Sequence, residues 1–500
     1  MPDVIFCSPR KGGGILPYFV AVRDGAPGNL ARCAGLRCVF RVHWGAGLPN
    51  WTPSAMSRLA RYLTEIRPTL TLAAPIVVGQ VSQMLMGVTD SAMIGHAGTV
   101  PLAASAFANN VFTLFFVAGI GLMLPVSILV ARARGARQLG DASEYLRHGI
   151  TLALAYGVIE TFLMVALSTQ LARFGQPPEV VAIVRPFFVL LAVSITPVLV
   201  YLALRQFAEA MGHPWAPMFI MLAGVGLNAA LNWVFIYGHL GVPALGLTGA
   251  GISTLVSRTL GVGVIFLWLR RDVRVREAWP AYWFGRYSMA RFREMLHFGL
   301  PASGMLLFET TAFAFSGIMI GWLGAVPLAA HQIAISCASL AFMFPLGLSM
   351  AAGMRVSHAV GAGERDRLRA IAFGAVGVGL AIMAVFAVCL GLGRDAIAAW
   401  FVHDPAVIAL AGRLLVVAAF FQLVDGVQVI AAAALRGISD VKLPAVITLL
   451  AYWGVALPLG YVLGIRGTMG ATGMWTGIAS GLAVAAVLLT ARFTRLTRRT

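Results

Sequence analysis

From about residue 68 the chain runs as long apolar stretches broken by short polar connections, with no alternation of apolar and polar positions of the kind a half-buried strand shows. Each stretch is about 20 residues long, the length a helix needs to cross a hydrocarbon core. The stretches are 68–91, 101–130, 148–171, 186–207, 214–237 and 245–269, then 296–321, 327–353, 368–392, 406–432, 443–463 and 469–491. The pattern predicts an all-α integral membrane protein with twelve transmembrane helices. Residues 1–55 read differently. They are rich in Gly, Pro and Arg (KGGG, DGAPGN, LPNWTP) and hold no sustained helical period. Their apolar run, 15–22, is interrupted by Pro17 and is too short for a secretory signal. Met56 then opens MSRLARYLTEIRP, a basic amphipathic lead-in to a membrane helix. Two readings of 1–55 compete: a disordered cytoplasmic extension, or upstream sequence included by a wrong start codon. The second is favoured, and little order is expected in either case.

Composition supports the membrane reading. The chain is 59% hydrophobic and 11% charged, with a mean hydropathy of +0.85, whereas a soluble domain carries about 25% charged residues to cover its surface. The net charge of +18 is not gathered into one basic face, which argues against a nucleic-acid partner. It lies in alternate connections. One set, including Arg132–Arg137, Arg270–Arg293 and Arg492–Arg499, holds 25 basic residues; the other holds Arg173, Arg185, Arg394, Arg413 and Arg466. Basic connections stay in the cytoplasm, so both termini are expected there, in a bacterial inner membrane, and an even helix count is required. The connection 270–295 mixes Arg with Trp, Tyr and Phe, as an interfacial segment beside anionic lipid headgroups would. The five cysteines are spaced too irregularly for a zinc site or a disulfide framework.

The chain repeats internally. AAPIVVGQVSQMLMGVTDSAMIGHAGTVPLAA near the start returns as GLPASGMLLFETTAFAFSGIMIGWLGAVPLAA. Pro75 falls on Pro301, Pro101 on Pro327, Gly98 on Gly324 and Gly135 on Gly361, each 226 residues apart. Two lobes follow, 56–269 and 296–491, joined by the linker 270–295 and ending in a basic cytoplasmic tail, 492–500. With six helices each, both lobes enter the membrane in the same direction and are expected to be related by a pseudo-two-fold along the membrane normal. That arrangement suits alternating access in transporters, though repeats also occur in channels. The chain is expected to be monomeric.

Carboxylates at bilayer depth are costly and persist mainly with a partner or a task. Asp90 lies near the end of the first apolar stretch, Glu309 within the seventh and Asp425 within the tenth; Glu160 and Glu209 are further candidates, and Arg258 is a possible partner for one of these acids. The plain alternative is a protonated acid hydrogen-bonded to a neighbouring helix. A low-dielectric setting favours the protonated carboxyl and a bound cation favours the carboxylate, so such a site can trade a proton for Na⁺ or for a cationic cargo. Asn228 and Asn232, four apart on one helix, present two amide oxygens on one face.

At these residues the chain resembles the MATE family (multidrug and toxic compound extrusion), and within it the bacterial NorM-like branch. The resemblance is carried by MGVTDSAMIG, LNAALNWVFIYG, FET, VPLAAHQIAISCASLAFMFPLGLSMAAGMRVSHAVG and FQLVDGVQVIAAAALRG, in that order across residues 60–490. It implies a cation-coupled exporter of amphipathic, mostly cationic drugs. It also implies that Glu309 and Asp425 bind the coupling cation in the C-terminal lobe, and that Asp90 has Asn228, Asn232 and Thr254 as neighbours in the N-terminal one. The coupling ion is H⁺ or Na⁺, with Na⁺ at Glu309, Asp425 or Asp90. One departure bears on this. Phe421 stands where this branch often has Tyr; the lost hydroxyl weakens the case for Na⁺ and favours protons. Glu160 is atypical and inherits no role. His331 and Gln332, with Phe421 and Gln422, are candidates for the central cavity; packing is the competing reading for His331.

Motifs for a positioned nucleophile, a catalytic metal or a Walker A loop are absent, so neither an enzyme, a cofactor nor direct ATP drive is expected. A lipid-linked oligosaccharide flippase of the same wider superfamily remains the alternative, and would be expected to line its cavity with Arg and Lys. A passive channel is the more distant one. Two outcomes follow. In a background without native cysteines, Cys placed in the connection around Gly324 is labelled from the periplasm, and around Gly363 only from the cytoplasm; reversed labelling in intact cells overturns the orientation. A chain starting at Met56 inserts and transports like the full chain; loss of folding on truncation refutes the reading of 1–55.

Overall fold

The computed structural model describes residues 4–9, 18–21, 36–41, 53–175 and 177–498, and divides into two units, 1–59 and 60–500. In the first unit three strands, β1 (Val4–Pro9), β2 (Tyr18–Ala21) and β3 (Leu36–Arg41), pair antiparallel in the order β2-β1-β3. The sequence pattern had suggested no strands there. They form on short stretches rich in β-branched and aromatic residues, VIFC, YFVA and CVFR.

The second unit is helical, and twelve of its helical spans are long and apolar enough to cross a membrane. In the N-terminal half these are α1 (Pro53–Ala97), α2 (Thr99–Gly135), α3 (Leu139–Ser168), α4 (Pro178–Ala210), α5 (Trp215–Tyr237) and α6 (Gly246–Arg271). In the C-terminal half come α7 (Met289–Gly321), α8 (Ala325–Gly361), α9 (Leu368–Leu392), the short α10 (Arg394–Phe401) and α11 (Pro405–Gly437). The eleventh span, 442–466, is built from α12 (Lys442–Leu449) and α13 (Leu457–Tyr461), each followed by a π-helical segment, Leu450–Ala456 and Val462–Arg466; α14 (Gly470–Arg498) is the twelfth. Helices are required because lipid offers no partner for backbone N–H and C=O groups. Their ends use local chemistry. Asp404 accepts a hydrogen bond from the Ala406 amide (2.8 Å) with Pro405 opening α11, and Gly238 closes α5 at a positive φ. The π segments flank Pro458, which lacks an amide hydrogen to continue the regular ladder.

Two elements differ in extent from the sequence pattern. The basic lead-in is not separate from the first span, since α1 runs continuously through it. The linker 270–295 is partly docked on protein. Its turn Val273–Ala278 buries Val275 and Ala278, and Trp279 and Trp283 pack on the core of the N-terminal half. Arg147 donates to the Arg286 carbonyl (2.6 Å) and lies over the Tyr282 and Tyr287 rings. Phe284 stays 93% exposed. The aromatic–arginine mixture thus serves two surfaces, with part of it facing inward.

The halves meet through reciprocal close contacts between repeat-matched positions. Gly121 of α2 lies against the Ser303 backbone of α7, and Gly347 of α8 against Val77 of α1; Gly121 and Gly347 are 226 apart, as are Val77 and Ser303. At the arginine-rich end, Gly135 faces the His358 carbonyl and Gly361 faces the Arg132 carbonyl, again 226 apart in each case. Such reciprocity is what a pseudo-two-fold between the halves requires. Ser303 donates to the Ala118 carbonyl and Ser357 to the Ile128 carbonyl across the seam (2.8 and 2.7 Å). At the same end Glu65 of α1 is held by Arg355 and Arg367, the latter at 2.7 Å. A methyl group at Gly121 would meet backbone that cannot swing away. Gly121→Ala is therefore expected to cost about 1–3 kcal/mol. Gly224→Ala on α5, with open space around it, should gain up to about 1 kcal/mol from helix propensity. Thermal unfolding in detergent checks this contrast of sign.

Candidate functional site

Two polar clusters lie within the helices, one in each half. In the N-terminal half α1 carries Asp90 and α5 carries Asn228 and Asn232 one turn apart. The Asn232 amide donates to Asp90 Oδ1 (2.6 Å) and approaches Asn228 Oδ1 (3.3 Å). Asn232 Oδ1 and Asn228 Nδ2 are buried without a partner among the described residues. Thr254 on α6 is buried, with no hydrogen bond that ties it to Asp90. Arg258, also on α6, acts on Asp90 through its charge; its guanidinium donates to Ser194 (2.6 Å) and sits over the Phe112 ring. The cluster is therefore a carboxylate with one amide donor and one cation in range, and no direct ion pair.

In the C-terminal half α7 and α11 bring Glu309 and Asp425 into electrostatic contact. Both line a cavity of about 400 Å³ between the halves. Its walls come from α1, α2 and α4 on one side and α7, α8 and α11 on the other. Asp425 is 4% exposed, and its Oδ1 has no hydrogen-bond partner among the described residues. Tyr452, on the π-helical segment, turns its hydroxyl toward Glu309 without forming a full hydrogen bond. Sequence reasoning missed this residue. Its only signal was a tyrosine six residues before Pro458, which does not reveal the direction in which a π turn points it. Phe421 lines the cavity and packs edge-on against Phe313 and Trp475 (6.0 and 5.8 Å between centroids).

The remaining candidates separate. Gln422 is fully buried behind the cavity wall, its amide donating to the Ala338 carbonyl (2.8 Å). His331 accepts from the Trp475 indole (3.1 Å) and does not line the cavity, while Gln332 is exposed. Glu160 sits apart on α3 beside Tyr156. Glu209 pairs with Arg205 (2.7 Å), which also reaches Gln80 (3.0 Å). The cavity also holds groups that the sequence reading had not placed there. Arg205 and Arg436 both line it, as do Gln206 and Gln428, neither end of whose amides has a partner among the described residues. The two glutamines come one from each half.

Comparison with known proteins follows the same division into halves. The profile of the family described as MatE matches residues 75–234 and again 301–462, two matches whose starts are 226 apart, as the internal repeat is. A probable multidrug resistance protein NorM of Mesorhizobium japonicum is 36% identical over 444 residues, covering 87% of this chain and 94% of the relative. The multidrug resistance protein NorM of Burkholderia vietnamiensis is 34% identical over 448 residues, covering 88% of this chain and 96% of the relative. Among solved structures, one described as the outward-facing conformation of a multidrug resistance MATE family transporter superposes with a TM-score of 0.80. Its identity is 22%, over 87% of this chain and 96% of that one.

Proposed function

The chain belongs to the MATE family, and from that membership we propose that it is a multidrug efflux transporter of the bacterial inner membrane, exchanging protons for amphipathic cations by alternating access. The observation that carries this reading is the placement of Glu309 and Asp425 on separate helices around one cavity between the halves. Two carboxylates so close at bilayer depth need a shared proton or a cation between them. A proton and a cationic cargo then compete for the same negative charge, which is the condition for antiport. The wall sets Phe421, Phe313 and Phe342 among amide and hydroxyl side chains such as Gln206, Gln428 and Thr310, and Phe421, one turn from Asp425, offers no oxygen there. This favours the proton over Na⁺. The apolar wall suits amphipathic cargo, with a few polar groups fixing its orientation. The Asp90 cluster is a second titrating or cation-binding group, in the other half.

Efflux of an ethidium-like cation from proteoliposomes, driven in turn by a proton and a Na⁺ gradient, tests the reading. Glu309→Gln, Asp425→Asn and Asp90→Asn keep shape and most hydrogen bonding while removing charge. Each is expected to insert normally, to lower proton-driven efflux about tenfold or more, and also to weaken the ion's effect on drug affinity at equilibrium. If all three retain wild-type gradient-dependent efflux, the acids are packing residues and the mechanism is wrong. Efflux driven by Na⁺ alone would reverse the choice of ion.

A further inference from the structure

The two arginines of the cavity occupy matching places in the repeat. Ala203-Leu204-Arg205 ends the fourth span as Ala434-Leu435-Arg436 ends the tenth, and each arginine is followed four residues later by an acid, Glu209 or Asp440. Glu209 is still within α4, where that spacing places the acid beside the arginine, whereas Asp440 lies past the end of α11 at Gly437 and after Ser439, whose φ is positive. In the N-terminal half the pair forms. Arg205 Nε lies 2.7 Å from Glu209 Oε1, and its other arm reaches Gln80, so its charge is answered by protein. In the C-terminal half it does not. Arg492, from α14, takes Asp440 at 2.5 and 3.3 Å. Arg436 is left 9% exposed, lining the cavity, with no hydrogen-bond or ion-pair partner for its guanidinium among the described residues. Glu309 is the carboxylate that acts on it through charge, from beyond ion-pair distance.

A guanidinium withdrawn from water and left without acceptors is costly, and its fork matches a carboxylate in two parallel hydrogen bonds. We propose that Arg436 is the anion-receiving pole of the cargo cavity. It binds a carboxylate carried by the cargo, while Glu309 and Asp425 serve the cargo's cationic end. The assignment rests on the reading of this cavity as the cargo site, and makes Arg436 a specificity-determining residue that separates dipolar cargo from simple cations.

Tetramethylrhodamine, a cation bearing a carboxylate, and its methyl ester, a plain monocation of the same skeleton, test this by fluorescence anisotropy on the purified full chain in nanodiscs. Arg436→Gln should weaken binding of the acid about tenfold, the size of one charge-assisted interaction. It should leave the ester bound at least as tightly, because a like charge has been removed. Arg436→Lys, which keeps the charge, should hold the acid-to-ester ratio within a few-fold of wild type and guards against a folding defect. Parallel losses for both dyes, or an unchanged ratio, would overturn the proposal. So would ester binding that depends on chloride with acid and ester equal, which assigns Arg436 to a free inorganic anion. The ratio is read without any gradient, so it stands or falls separately from proton coupling.

Discussion

A charge in the hydrocarbon region must be answered by a partner or held for a purpose, and the interior of this protein is organised around that constraint. Most of its buried charges are answered by nearby groups. Arg205 has Glu209 and Gln80, Arg147 has a carbonyl and two aromatic rings, and Glu65 has Arg355 and Arg367. Against that background Glu309, Asp425 and Arg436 stand out, because they line one cavity and carry no full partner in the described structure. Their cost is what makes them responsive to a proton or a cargo.

The cavity exists because two similar halves meet along a narrow seam. Repeat-matched small residues let backbones approach at Gly121 and Gly347 and again at Gly135 and Gly361. A contact of this kind is specific to its geometry: a carbonyl seated where a side chain would be leaves no room for intermediate arrangements. Packed interfaces tend to have discrete alternatives rather than continuous ones. The Glu65 ion pairs and the two glycine–carbonyl contacts lie at the same arginine-rich end, so any opening there must break both.

What was legible in the sequence followed from period and cost. Twelve spans could be read from apolar length and the repeat from a match at a fixed offset, whereas the nearness of Asn232 to Asp90 was implied only by the family resemblance, since two asparagines four apart show no more than a shared face. Glu309 and Asp425 could be named as costly, but their convergence on one cavity depends on the crossing of α7 and α11, which no local pattern encodes. Tyr452 was missed because a π-helical segment sets its direction. The linker's tryptophans were assigned to lipid because composition does not tell an interfacial aromatic from one docked on α6. Nothing along the chain marks Arg436 as a residue of the cavity, where the fold of α11 places it.

The contrast between Arg205 and Arg436 shows why local pattern stops short of function here. An arginine followed four residues later by an acid closes the fourth span and the tenth. Locally the two differ, since Glu209 is still on its helix and Asp440 lies past the end of α11. Beyond that helix end Asp440 pairs with Arg492 of α14, and Arg436 is without the partner that Arg205 keeps. A duplicated chain begins with equivalent charges on both sides of its axis, and equivalent sites would bind a cargo equally in either half. The N-terminal arginine is tied to Glu209 and Gln80, and the C-terminal one lines the cavity without a partner among the described residues, so the two halves present unlike charges there.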